Sequence, residues 1–157
     1  MTGIETGKEL KFENLISLRR KMTQQQLQEE LMKLGKFLKE NNINKVGPLI
    51  SATFSVENVN GEQLIDSEFL VPVDKKVSLP NGYKFKEKFH LVNVVYKRYI
   101  GNPMYIQEAY NELLQFIQQN GLQQITAAYN VNVNEEEVAE GAEPIIDIYF
   151  EINSSML

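Results

Sequence analysis

The chain repeats itself, and this repeat constrains the possible fold more than any other feature of the sequence. Sliding the chain by 79 positions aligns residues 10–73 with residues 89–152. Nine of these 64 pairs are identical, and many others are apolar in both copies. The identical pairs include Arg19/Arg98, Leu34/Leu113 and Phe37/Phe116. Whatever structure the first copy adopts, we expect the second copy to adopt it too.

Each repeat carries the signals that begin a helix. Thr23 followed three residues later by Gln26 is the pattern of a capping box. In the second repeat, Asn102 suits an N-cap and Pro103 suits the first helical position, where its missing N–H costs nothing. Helix starts are therefore predicted at equivalent positions of the two repeats.

Apolar residues then recur at helical spacing, and the four central core residues are expected to be Leu34, Phe37, Leu113 and Phe116. The helices are predicted near 23–41 and 103–120. Each is followed by a residue that tolerates the left-handed conformation of a helix C-terminus, Asn42 in one repeat and Gly121 in the other.

Three stretches with strand-like alternation surround each helix. They are residues 10–20, 46–57 and 65–73 in the first repeat and residues 85–98, 125–134 and 145–153 in the second. The predicted fold class is therefore α+β, with tandem pseudo-twofold β-α-β-β repeats. An antiparallel sheet carries two helices on one face, and a groove lies between the repeats. We expect one domain over 1–157, with repeat one at 10–73, a junction at 74–84 that contains a Pro-Asn-Gly turn signal, and repeat two at 85–153.

Composition removes several classes of function. The chain has no Cys, which excludes disulfides, Cys-ligated metal sites and a thiol nucleophile. Its one histidine, His90, is the only residue that could act as the base of a catalytic triad, and one histidine makes a His-rich metal site unlikely. No cofactor and no metal are therefore expected. No apolar run approaches the ~20 residues of a membrane span, and no signal peptide is visible, so a cytoplasmic location without membrane contact is expected. Seven acidic residues crowd residues 135–151, without Lys or Arg, which disfavours nucleic acid as a direct partner. The run at 135–137 is expected to be a solvated hairpin loop.

The second repeat resembles the GyrI-like effector-binding domain, which also occurs fused to bacterial multidrug-responsive activators. The matching residues are Tyr96, Tyr99, Gly101, Tyr105, Ala109, Tyr110, Leu113, Phe116, Ile117, Gly121 and Leu122, and DSEFLVPV at 66–73 is similar to a family strand. The resemblance implies a protein that binds small, often cationic and hydrophobic molecules between its repeats. It also implies an acidic anchor on the last strand, which Asp147 fits, with Glu68 as its equivalent in the first repeat. Because no helix-turn-helix precedes the domain, a stand-alone form is expected.

Strand alternation places the candidate site on the outer face of the sheet, opposite the helices. Asp147 and Tyr149 share this face in the last strand, and Glu68 and Leu70 share it in the equivalent strand. The candidate ligand-binding residues are Glu68, Leu70, Tyr96, Asp147 and Tyr149. The expected inner residues of the middle strands are Val46, Ile50, Phe54, Ile125, Tyr129, Val131 and Val133. Arg19 and Arg98 could form ion pairs at the strand ends and neutralise the two acids.

Three functions remain open at this point. The first is a non-enzymatic protein that binds a small organic molecule in the groove, with a hydrophobic cation as the candidate ligand. The second is an interaction or inhibitor module that uses the outer face or residues 135–151 on a protein partner. The third, ranked lowest, is a small-molecule hydrolase with Asp147 or Glu68 as base and Tyr149 or Tyr96 as hydrogen-bond donor. The sequence leaves the oligomeric state undetermined.

Overall fold

The computed structural model describes residues 3–153, which form seven β-strands and three α-helices, an α+β fold as predicted. In chain order the elements are β1 (Ile4–Met22), α1 (Gln24–Glu40), β2 (Ile50–Val59), β3 (Glu62–Pro72), β4 (Tyr83–Ile100), a 3₁₀ turn (Pro103–Tyr105), α2 (Gln107–Gln119), β5 (Gln123–Gln124), β6 (Tyr129–Asn132), α3 (Glu135–Ala139) and β7 (Ile145–Asn153). The order β-α-β-β thus occurs twice, as β1-α1-β2-β3 and as β4-α2-β6-β7.

Contacts within the chain define two units whose boundaries cut through the long strands β1 and β4. One unit is residues 12–89, and the other joins the described residues of 1–11 to those of 90–157. These borders differ from the repeat borders at 10–73 and 85–153 because each long strand begins in one unit and ends in the other. A single domain over 1–157 stays a prediction.

In the unit of residues 12–89, β3 is the central strand. It pairs antiparallel with β1 on one side, from Leu15 opposite Pro72 to Met22 opposite Ile65, and with β2 on the other. Helix α1 packs its apolar stripe on this sheet. The buried core consists of Ile16, Leu18, Met22, Leu34, Leu38, Ile43, Phe69, Val71 and Val73.

In the second unit, β7 is the central strand. It pairs antiparallel with β4 along one edge and with β5 and β6 along the other. Helix α2 packs here as α1 does in the other unit. The buried core consists of Val95, Ala109, Leu113, Ile117, Ile146, Ile148, Phe150 and Ile152.

The predicted helix signals are confirmed. Thr23 and Gln26 form the capping box, with both reciprocal hydrogen bonds present. Asn102 accepts a hydrogen bond from the N–H of Met104, so the second helical segment begins as a 3₁₀ turn before α2. Both helices are followed by residues with positive φ, 55° at Asn42 and 65° at Gly121.

The predicted inner face of the middle strands is wrong. The register sets Ile50 opposite Leu70, Tyr129 opposite Tyr149 and Val131 opposite Asp147, so these buried residues lie on the face away from the helices. The register of β2 against β3 shifts between Thr53 and Ser55, which places Phe54 in a β-bulge, where alternation no longer determines its side. The N–H groups of Val46, Ile125 and Val133 bond to the carbonyls of Pro72, Glu151 and Ile145. These partners also face away from the helices, so Val46, Ile125 and Val133 are 59%, 56% and 42% exposed.

Two further expectations need correction. Phe37 and Phe116 are only half-buried, at the edge of the cores that fully bury Leu34 and Leu113. Residues 135–137 lie in the connection between the antiparallel strands β6 and β7, as predicted, but they form the first turn of α3 rather than an open loop. Acidic side chains are favourable at that helix end, which offers the physical reason.

Candidate functional site

The predicted acid Asp147 lies near the middle of β7 and is only 7% exposed. Its neighbours Ile146 and Ile148 face the helix, so the alternation of the strand points Asp147 to the opposite face. The register of β4 against β7 sets Arg98 directly opposite Asp147 and Tyr96 directly opposite Tyr149. Four polar or aromatic side chains of two strands therefore meet on one face.

The carboxylate of Asp147 is held by three hydrogen bonds. The Tyr96 hydroxyl donates to Oδ1 over 2.9 Å. The Arg98 guanidinium donates from Nε to Oδ1 over 2.8 Å and from Nη2 to Oδ2 over 3.1 Å, which is the bidentate geometry that arginine favours with carboxylates. This bond to Asp147 raises the pKa of Arg98, so the guanidinium keeps its charge near neutral pH.

Two tyrosine rings lie on the same face of the strands as the carboxylate. The rings of Tyr96 and Tyr149 lie 5.1 Å apart between centroids and are tilted by 44°. Burial, followed by the charge of Asp147, raises the pKa of each tyrosine to about 12. On the Tyr96 ring sits the ammonium group of Lys8, 4.6 Å from the centroid, in the arrangement of a cation–π contact.

Glu68, the equivalent of Asp147, is buried in the other unit. It is 7% exposed, and its Oε2 accepts a hydrogen bond from the Lys86 ammonium over 2.8 Å. Leu70 follows on the same face of β3 and is fully buried. Arg19, which the repeat aligns with Arg98, bonds the carboxylate of Asp66 over 3.3 Å and stacks on Phe54, with its guanidinium carbon 3.7 Å from the ring centroid.

The structure thus gathers Tyr96, Asp147 and Tyr149 into one cluster and places Glu68 beside Leu70 in a second. Both acids are shielded from water and already paired with a cation of the chain itself. The expectation that an arginine neutralises its acid is confirmed for Asp147 by Arg98. The lysines Lys8 and Lys86 had no signal in the sequence, because nothing local distinguishes them from the other lysines.

Two other classes of site have no support within residues 3–153. This part of the chain contains no group of three or more His, Asp or Glu side chains arranged to hold a metal ion. None of its helices combines the length and the apolar character that crossing a membrane requires.

Comparison with known proteins identifies the fold through structure alone. No family model and no curated protein matches the sequence. The EcmrR chain of a cryo-EM EcmrR–DNA complex matches with a TM-score of 0.76 and 15% identity, over 98% of this chain and 59% of that chain. The crystal structure of the EcmrR C-terminal domain matches with a TM-score of 0.70 and 13% identity, over 96% and 98%. A hydrolase from Listeria innocua matches with a TM-score of 0.61 and 12% identity, over 95% and 92%.

At these identities the likeness shows a shared fold. The chain has the α+β fold of the EcmrR C-terminal domain and spans about three fifths of the EcmrR chain in the DNA complex.

Proposed function

We propose that this chain is a non-enzymatic effector-binding protein of the GyrI-like kind, which binds a small organic molecule. The observation that carries the proposal is the buried carboxylate of Asp147, which accepts a hydrogen bond from the Tyr96 hydroxyl and lies on the same strand face as the Tyr149 ring. A desolvated carboxylate next to aromatic faces is the combination that attracts an organic cation. The ligand-binding residues in this proposal are Tyr96, Asp147 and Tyr149, together with Glu68 and Leu70.

The cations already present determine how such a ligand would bind. Asp147 is fully engaged by Arg98, and Lys8 occupies the Tyr96 ring. The Arg98 side chain is 47% exposed, so it can turn into water when another cation takes its place. Binding is then an exchange of cations, in which the carboxylate keeps a counter-ion and the rings gain an apolar guest. Such a site favours cations that water solvates weakly over small, strongly hydrated ones.

The test is a calorimetric titration with benzyltributylammonium, a lipophilic cation, alongside the neutral amide N,N-dibutylbenzamide. Asp147→Asn keeps the shape but removes the charge, so cation affinity should fall by about 1.5–3 kcal/mol, whereas the amide should respond little. Arg98→Gln removes the competing cation and should raise cation affinity. Asp66→Asn is the matched control, because it makes the same chemical change in an ion pair with an exposed arginine.

Glu68→Gln tests the second acid in the same assay. Equal cation affinity in the wild type, Asp147→Asn and Glu68→Gln would refute the proposal. The interaction-module alternative would then lead, since it needs no buried charge. The groove between the repeats and the cytoplasmic location stay predictions.

Hydrolysis of a small molecule is a second candidate, favoured by one specific contact. The Tyr96 hydroxyl lies 2.9 Å from the Asp147 carboxylate, the pairing of donor and base that such a reaction needs. Against it, Arg98 donates a hydrogen bond to each oxygen of Asp147, so the carboxylate is already engaged before a substrate arrives. The candidate predicts hydrolysis of 4-nitrophenyl acetate that both Tyr96→Phe and Asp147→Asn abolish. Turnover that survives both substitutions would exclude this site as its source.

A further inference from the structure

A cavity of about 150 Å³ lies in the unit of residues 12–89, between helix α1 and the turn that precedes β4. It uses none of the residues of the proposed effector site. Its lining residues are Glu30, Lys33, Leu34, Phe37, Pro80 and Tyr83.

The turn is built to hold one wall of this cavity in place. The N–H of Tyr83 donates to the carbonyl of Pro80 over 3.3 Å, and Gly82 adopts a φ of +93°, which glycine tolerates best. The Tyr83 ring then meets the ring of Phe69 edge to face, with centroids 6.4 Å apart. Because Phe69 belongs to the core, the tyrosine is anchored rather than loose on the surface.

Two charged residues, Glu30 and Lys33, interrupt the otherwise apolar wall. The side chain of Glu30 is 13% exposed, and its Oε2 accepts a hydrogen bond from the Tyr83 hydroxyl over 2.8 Å. On Oε1, Arg20 pairs at 2.6 Å and Lys33 at 3.6 Å. Burial opposes the ionisation of Glu30, but the bonds from Arg20 and Tyr83 outweigh it, so the pKa of Glu30 lies below its ordinary value.

The second repeat shows that this polar group is not required by the fold. Under the shift of 79 residues, Glu30 corresponds to Ala109 and Tyr83 to Ile4. Ala109 is a buried member of the second core, and Ile4 packs against that core. The same place in the fold can therefore be filled by apolar residues alone. The carboxylate and the hydroxyl are a special feature of the first repeat.

We propose that this cavity binds a small neutral aromatic molecule with one hydrogen-bond donor, of which phenol is the simplest. An apolar cavity of 150 Å³ is large enough for benzene, and the Phe37 and Tyr83 rings provide aromatic walls. A carboxylate has about four acceptor positions, and three donors surround Glu30, which leaves one position for the ligand. A cationic ligand would compete with Arg20 and Lys33, whereas an anionic one would face Glu30.

The experiment titrates the full chain with phenol and, separately, with toluene, and follows the backbone amides by two-dimensional NMR. Phenol should shift the amides of residues 30–37 and 80–83 saturably and bind more tightly than toluene, which lacks the donor. Glu30→Gln should weaken phenol about tenfold and leave toluene unchanged, because hydrogen bonds to a charged acceptor are the stronger ones.

The repeat supplies a matched control for the apolar wall. Phe37→Leu should weaken both ligands, whereas Phe116→Leu, the same change at the equivalent position, should weaken neither. Thermal denaturation of each variant confirms that it is folded. Asp147→Asn should leave phenol affinity unchanged, which separates this site from the effector site. The proposal would be overturned if the amide shifts did not saturate with phenol, or if Phe37→Leu and Phe116→Leu lost the same affinity.

Discussion

Replacing Arg98 by glutamine tests the ion pair at the centre of the candidate site. In the folded protein Arg98 donates two hydrogen bonds to Asp147, and Tyr96 donates a third. In the wild type the Asp147 residue is only 7% exposed, and the variant leaves its carboxylate with the tyrosine as its main hydrogen-bond partner. The free energy of unfolding should therefore fall, because a buried charge has lost its counter-ion.

The geometry sets the size of this loss. Removing one partner of a fully buried ion pair costs about 3–5 kcal/mol, because the other charge stays buried and unpaired. The Arg98 side chain is 47% exposed, so water can replace part of what it donated. We therefore expect a loss of about 2 kcal/mol. Lys21→Gln breaks a pair with Glu57 in which both side chains are about half exposed, and should cost clearly less than Arg98→Gln because water screens that pair.

Urea denaturation followed by circular dichroism measures both variants, and equal m-values would show that the midpoints report stability. The double variant Arg98→Gln/Asp147→Asn should be more stable than Arg98→Gln alone, because it removes the orphaned charge. The reasoning is wrong if Arg98→Gln costs no more than Lys21→Gln, or if the second substitution gives no recovery.

Three further outcomes follow from the same contacts. Folding raises the pKa of Tyr96 from 10 to about 12, so the folded protein holds the phenol proton more tightly than the unfolded chain does. The resulting stabilisation is complete below pH 10 and is lost as the pH rises through 12. When the pH is raised from 10 to 12, the free energy of unfolding should fall less in Tyr96→Phe than in the wild type. Equal losses in urea denaturation at the two pH values would show that Tyr96 is not the group responsible. Lys8→Gln should bind benzyltributylammonium about two- to fivefold more tightly, because it frees the Tyr96 ring, whereas Lys11→Gln on the same strand should not. Calorimetry that shows equal gains for both would point to net charge instead. Leu113→Ala should lower the free energy of unfolding by about 2–5 kcal/mol, because Leu113 is fully buried. The neighbouring Leu114 is 36% exposed, so Leu114→Ala should cost less than ~1 kcal/mol. Similar melting temperatures for the two variants would contradict the burial of Leu113.

Local rules predicted the helices well because their signals lie within a few residues of one another. The capping box of Thr23 and the left-handed residues Asn42 and Gly121 depend only on neighbouring backbone, so the sequence alone contains them. The repeat also placed Glu68 and Asp147 at equivalent positions on β3 and β7, where both are buried.

Features that depend on distant parts of the chain were missed. The bulge at Phe54 arises from the register of β2 against β3, which alternation within one strand does not reveal. Lys86, which bonds Glu68, lies 18 residues from it in the sequence, and Lys8 lies 88 residues from Tyr96. Their contacts exist only after the strands have paired, and a lysine in an exposed-looking pattern carries no mark of its future partner.

The division of β1 and β4 between the two units bears on whether the two repeats can fold separately. Ile4 packs against the core beneath α2, and Tyr83 packs against the core beneath α1. The core of each repeat therefore includes a residue from the start of the other repeat's first strand. An isolated repeat would lack that strand unless a second chain supplied it. A cut within residues 74–82 would create that condition, and the two fragments should depend on each other to fold.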